Sequence, residues 1–157
     1  MNREIRKFIV IEAIVSGMFN FFINGMAAAL IYHKADYIPA DIIGFAIDEF
    51  IICMCIGILT ALVSKAGLKR HKLAETQTGG PLTRFLSRLL RRAVLFGTLL
   101  GLVMFLAVFA LTFSIFTLFS ISEIPFGVYI PLKCTIIALL AAGATVLELY
   151  SGMHKIN

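Results

Sequence analysis

Charge is scarce in this chain. Asp, Glu, Lys and Arg make up 15% of its 157 residues, against about a quarter in soluble domains. Hydrophobic residues make up 60%, and mean hydropathy is +0.96. A soluble core of this size has no room for so much apolar surface, so the fitting solvent is lipid. Cysteine is also scarce. Cys53, Cys55 and Cys134 all fall inside apolar runs, which excludes a loop disulfide framework and leaves the redox compartment unreadable. Cys53 and Cys55 form CxC rather than CxxC, and positions i and i+2 of a helix point to different faces. Small apolar packing is the reading for both. Catalytic signatures are missing: there is no HExxH, GxSxG, phosphate-binding loop or dinucleotide fingerprint. We expect no enzyme, no catalytic residues and no cofactor. His33 with Asp36 and Asp41 lacks a metal-ligand spacing, so no metal is assigned.

What the chain does have is four apolar stretches, each long enough for the roughly 20 residues a bilayer crossing needs. They run over about 8–32, 42–64, 93–119 and 126–150. The expected fold is all-α: a polytopic membrane protein, residues 1–157 as one four-helix transmembrane domain, its spans arranged as two hairpins. The start, MNREIRK before an apolar run, has the look of a signal peptide. The run is too long for one and carries Glu12, Asn20 and Asn24, so it is read as an uncleaved span.

All but Lys34 and Lys133 of the 14 basic residues fall on one side of these spans. The positive-inside bias then places both termini and the 65–92 loop in the cytoplasm, of a bacterial inner membrane. Tyr32, Tyr37, Tyr129 and Tyr150 sit at expected interfaces, where amphipathic rings belong. The net charge of +5 is spent at membrane edges, which leaves no basic surface for nucleic acid.

Gly79-Gly80-Pro81 breaks the central loop. After it, Leu82, Phe85, Leu86, Leu89 and Leu90 recur at helical spacing, with Arg84, Arg88, Arg91 and Arg92 on the other face. This predicts a basic amphipathic helix on the membrane surface before span 3. Its arginines suit acidic lipid headgroups or another anion.

Ionisable groups at membrane depth are costly and are functional candidates by default. Asp48 and Glu49 lie six and seven residues into span 2, about 10 Å deep at 1.5 Å per residue. Lys133 lies seven residues into span 4, at matching depth. We expect Lys133 to pair with one of the two carboxylates, leaving the other to bind a cation or carry a proton. The plainer reading is a salt bridge joining spans 2 and 4. Glu12, Ser16, Asn20 and Asn24 form a stripe on span 1. Glu49, Cys53, Gly57, Thr60 and Ser64 form another on span 2. The two stripes are expected to face each other, either as interhelical hydrogen bonds or as a hydrated pathway. Gly97 and Gly101 allow close helix approach in span 3, otherwise a packing helix. Pro131 is expected to kink span 4, and Glu148 to reach the basic interface.

The segment FNFFINGMAAALIY (Phe19–Tyr32), with the acidic second span, resembles a loose group of small bacterial four-span proteins. In these an Asn-rich first span precedes an acidic second span and a basic cytoplasmic loop. The resemblance implies the topology and no activity.

The functional expectation is a small transport protein, a channel or carrier for an ion or small solute. Four spans enclose little volume, so a homo-oligomer is expected. Asp48, Glu49 and Lys133 would set selectivity or coupling, and Asn20, Asn24 and Glu12 would line the route. The alternative is an accessory or scaffold subunit whose polar stripes dock another membrane protein.

Overall fold

The computed structural model describes residues 3–32, 35–71, 73 and 80–153. His33, Lys34, Lys72, Gly79 and Lys155, all used in the sequence reading, lie outside the described residues.

The chain runs α1 (Arg3–Ile31), β1 (Tyr37–Pro39), α2 (Ile42–Arg70), α3 (Pro81–Leu90), α4 (Ala93–Phe119), β2 (Glu123–Pro125) and α5 (Phe126–Gly152). The helices α1, α2, α4 and α5 are long and apolar enough to cross a membrane. Their limits follow local chemistry. The Asp41 carboxylate caps α2, accepting from the Ile43 and Gly44 amides, two of the donors every helix start leaves open. Pro81 begins α3, where its missing N–H costs nothing. Ser120 ends α4 in the left-handed region, at φ 50°.

Strands were not expected, yet β1 and β2 pair antiparallel, Ile38 opposite Ile124. The reason is geometric. Both loops leave helices at the same end of the bundle, and each holds a short extended segment bounded by a proline. In the 37–39 and 123–125 segments the backbone donors have no helix to satisfy them and find each other instead. Ile38 and Tyr129 close this end with Phe45 and Phe116, and the Phe45 ring meets both aromatic partners edge-on. We call this the sheet end and the opposite one, with Arg70 and Arg84–Arg92, the basic end.

Helix packing differs from the hairpin expectation. The close pairs are α2 with α4 and α1 with α5, followed by α2 with α5. Sequence neighbours α1–α2 and α4–α5 are not among the closely packed pairs. Small residues decide this. Gly57 of α2 lies against Gly97 and Gly101 of α4, backbone on backbone. Gly17 and Gly25 of α1 lie against Ala138 and Cys134 of α5. Without a hydrophobic driving force between helices in lipid, such close approaches choose the partners. Hairpin connectivity only requires that helices be reachable, and both loops allow a diagonal step.

Near the basic end, Leu90 of α3 is buried with Ile9, Leu68, Phe96, Leu149 and Met153, and Leu86 and Leu89 pack on that cluster. Ser87 is buried as well and donates to the Ser151 carbonyl. Leu82 and Phe85 remain exposed. The apolar face read from sequence is therefore split: its C-terminal half packs on protein, its N-terminal half does not. α5 runs as a continuous helix through Pro131.

Candidate functional site

Two polar regions occupy the two halves of the bundle. The first lies one to two turns from the sheet end. Asp48 and Glu49 ride on α2, and Lys133 on α5. Lys133 is buried, 7% exposed, and pairs with Asp48, whose side chain is 38% exposed. The Tyr129 hydroxyl, one turn earlier on α5, lies 3.1 Å from Lys133 Nζ and accepts from it. The matching depths read from sequence thus do bring Lys133 to Asp48. Adjacent residues on a helix point about 100° apart, so Glu49 turns away toward α4. Glu49 is buried, and its Oε2 has no hydrogen-bonding partner. It lines a cavity of about 10 Å³ with Thr112, Phe45, Phe109, Phe113 and Phe116, room for one water molecule.

The second region lies in the basic half. α1 and α2 diverge there and leave a cleft of about 280 Å³, floored by α5. Its polar lining is Glu12, Ser16 and Asn20 from α1, Thr60 and Ser64 from α2, and Thr145 from α5. Phe8, Phe19, Leu59, Val63 and Leu149 supply apolar walls. Neither lysine nor arginine is among the lining residues. The expected facing of the two stripes holds only in part: Glu12, Ser16 and Asn20 stand across an open cleft from Thr60 and Ser64, while Glu49, Cys53 and Gly57 of the same α2 stripe turn onto α4. Among the described residues no hydrogen bond joins them.

The asparagines do not make the interhelical bonds their chemistry suggested. Asn20 Nδ2 donates to Ser16 O and Asn24 Nδ2 to Asn20 O, both 2.9 Å and within α1. An amide in lipid satisfies itself on its own helix when no partner is in reach. Asn24 is not among the residues lining the cleft. Glu12 is half-buried and does line it, with no hydrogen bond or ion pair among the described residues.

Glu148 corrects the sequence reading. Expected at the basic interface, it is fully buried at 0% exposure. Behind the cleft wall, its Oε1 and Oε2 accept from the Thr60 and Ser64 hydroxyls at 2.9 and 3.0 Å. Helix length placed it near an interface, but its position on the helix circumference turns it inward onto α2. The signal was available: Thr60 and Ser64 sit one turn apart on α2, and Glu148 lies at a comparable distance from the basic end. The rule that paired Asp48 with Lys133 also pairs these.

Arg84, Arg88, Arg91 and Arg92 all stay exposed at the basic end. The Arg91 carbonyl accepts from Lys65 Nζ at 2.5 Å, which ties α2 to the α3–α4 corner.

What this arrangement can do chemically is bind. It offers carboxylates, hydroxyls and amides at membrane depth beside apolar walls, with one internal ion pair. No protein-family model, curated protein or solved structure matches the chain.

Proposed function

We propose that this chain is a small integral membrane transport protein, a channel or carrier for an ion or small solute, working as a homo-oligomer with both termini in the cytoplasm. The observation that carries the reading is the cleft between α1 and α2, a largely apolar space into which Glu12, Ser16, Asn20, Thr60, Ser64 and Thr145 bring polar groups. Glu12 is half-buried at the cleft and has no ion-pair partner among the described residues, and an ionisable group at membrane depth is a functional candidate by default. The cleft gives one station of a route in the basic half. Asp48, Lys133 and the unbonded Glu49 give a second station toward the sheet end. Asp48 and Lys133 are the ion pair of the second station, and we assign them the role of gate or coupling element.

Flux of sodium, potassium or protons into proteoliposomes of the full chain is the direct test. Asp48→Asn and Glu49→Gln are each expected to lower the flux at least about tenfold, as removal of a charge in low dielectric does. Unchanged flux in both variants removes these residues from the pathway.

The orientation is tested separately. Cysteines placed at Glu123 and at Arg88, in a background lacking the native three, are expected to react with a membrane-impermeant maleimide from opposite sides. Glu123 should label from outside intact cells and Arg88 only after lysis. In this orientation α3 lies on the inner leaflet, with Leu82 and Phe85 among acyl chains and Arg84 and Arg88 at acidic headgroups.

The second reading is a subunit that docks another membrane protein. It is favoured by α1, the least buried of the four long helices, which leaves a broad face for a partner. Purification decides between the two. A symmetric assembly of this chain alone supports transport, and a stoichiometric foreign subunit supports docking.

A further inference from the structure

We infer that the cleft between α1 and α2 is a binding site for a small amphipathic cation, an organic ammonium with an apolar body. This names the solute class and rests on the transport reading above.

Charge comes first. Glu12 is the one lining residue that carries a formal charge, and the described lining has no basic group to neutralise it. Every other charged side chain the structure brings to membrane depth is either internally satisfied or elsewhere. Asp48 has Lys133, Glu148 has two hydroxyls and sits behind the wall, and Glu49 lines a separate cavity. Glu12 is left with its charge directed into a space, which selects a cation.

Shape and lining come next. A bare metal cation seeks several oxygen ligands at short range. Here the Ser16 hydroxyl leans toward the Ala141 carbonyl, the Asn20 amide donates to its own helix and Thr145 donates to the Ala141 carbonyl. Those bonds fix the hydrogens of these groups, but only one carboxylate lines the space and the larger part of the wall is apolar, which is too few strong oxygen ligands for a bare metal ion. Phe8 and Phe19 flank Glu12 by one turn and two turns of α1 and present two aromatic rings to the same space. A carboxylate beside aromatic rings is the combination that attracts ammonium groups, through ion pairing and cation–π contact together. The volume of about 280 Å³ lies just below the roughly 300–1,000 Å³ typical of ligand sites, so the ligand is small. The cleft opens between helices that do not pack on each other. An amphipath partitioned into the bilayer can enter it from the side.

The test is binding to the full-length chain in detergent, measured by equilibrium dialysis. The probes are benzyltrimethylammonium, benzyl alcohol as the neutral counterpart and benzenesulfonate as the anion. The cation is expected to bind and the other two not to compete with it. Glu12→Gln should weaken cation binding about tenfold or more. Phe19→Leu, which keeps the bulk and removes the ring at a well-exposed position, should weaken it severalfold. Glu123→Gln, an exposed acid in β2, should leave it unchanged. Equal competition by benzyl alcohol overturns the inference, as does unaltered affinity in both Glu12→Gln and Phe19→Leu, or no binding of the cation to the parent chain. Cation binding that depends on Glu12 without cation flux in proteoliposomes upholds the site and rejects the transport reading.

Discussion

Replacing Lys133 with methionine is expected to destabilise the bundle by about 3–5 kcal/mol, while Asp48→Asn costs only about 1–2 kcal/mol. The asymmetry comes from what each change leaves behind. Without Lys133, two adjacent carboxylates remain on α2 with no cation. One of them, Glu49, already has an oxygen buried without a partner, and the Tyr129 hydroxyl loses its donor as well. Without the Asp48 charge, Lys133 still has the Tyr129 hydroxyl and ring, and Glu49 is the neighbouring residue. A lysine stem is long and jointed enough to reach a second carboxylate one position along. The half-exposed side of Asp48 also lets solvent or headgroups share the cost. Unfolding titrations of the two single variants and the double variant in a fixed micelle composition measure this. The cycle should show coupling of about 1–3 kcal/mol, since both changes act on one contact. Equal losses for the two single variants would mean that Glu49 cannot take over. The gate assigned to this pair would then have no second position for Lys133 to occupy.

That relation between Asp48 and Glu49 was only half legible in the sequence. Depth is a one-dimensional quantity, obtained by counting residues from a helix end, so it matched Asp48 and Lys133 well. Which of two adjacent carboxylates faces α5 depends on rotation about the α2 axis, and rotation is set by the packing partner. The partner was misjudged. Hairpin reasoning put span 1 beside span 2, whereas Gly57 seats α2 on α4 and Gly17 and Gly25 seat α1 on α5. The same error of circumference hid Glu148, which has a boundary residue's depth and a core residue's direction. The four long helices were legible from hydropathy and flanking charge, 93–119 to the residue. But α1 begins at Arg3 rather than 8 and α2 runs on to Arg70 rather than 64, because the helices continue past the apolar runs into their charged flanks. The two-stranded pairing of 37–39 with 123–125 was not. It depends on two loops, distant in sequence, meeting at one end of the bundle, and neither has the alternating pattern that signals a strand. The cleft follows from the same packing. Once α1 leaves α2 for α5, the polar stripes of α1 and α2 stand apart, and what had read as a hydrogen-bonded seam becomes a space.

The second large effect is expected at Gly57, where Gly57→Ala should cost about 2–3 kcal/mol. A Cβ there overlaps the Gly97 carbonyl oxygen and comes within 2.8 Å of the Gly101 amide nitrogen and 3.0 Å of its Cα. All three are backbone atoms of α4, so no side chain can swing aside, and the two helices must separate. The loss includes the contacts that ride on the approach: Cys53, Ile56 and Met104 are buried together in the middle of the bundle. Gly97→Ala meets the Gly57 carbonyl and the Ile58 Cα in the same way and should cost a similar amount. The double variant should cost clearly less than the sum, because helices already pushed apart by the first methyl accommodate the second. Gly143→Ala is the control. It lies on α5 with nothing within 4 Å of an added Cβ, and alanine is the better helix former there by up to about 1 kcal/mol. That substitution should be neutral or slightly stabilising. The effect also reaches the candidate site. Gly57, Thr60 and Ser64 share one face of α2, which meets α4 at Gly57 and reaches Glu148 of α5 one and two turns further on. A shift of α2 off α4 changes how those hydroxyls meet Glu148 and how wide the cleft stands. Gly57→Ala should therefore alter benzyltrimethylammonium affinity although residue 57 does not line the cleft, while Gly143→Ala should not. If unfolding titrations place Gly57→Ala within about 0.5 kcal/mol of Gly143→Ala, α2 and α4 do not approach as closely as their glycines allow, and the seat of the cleft is elsewhere.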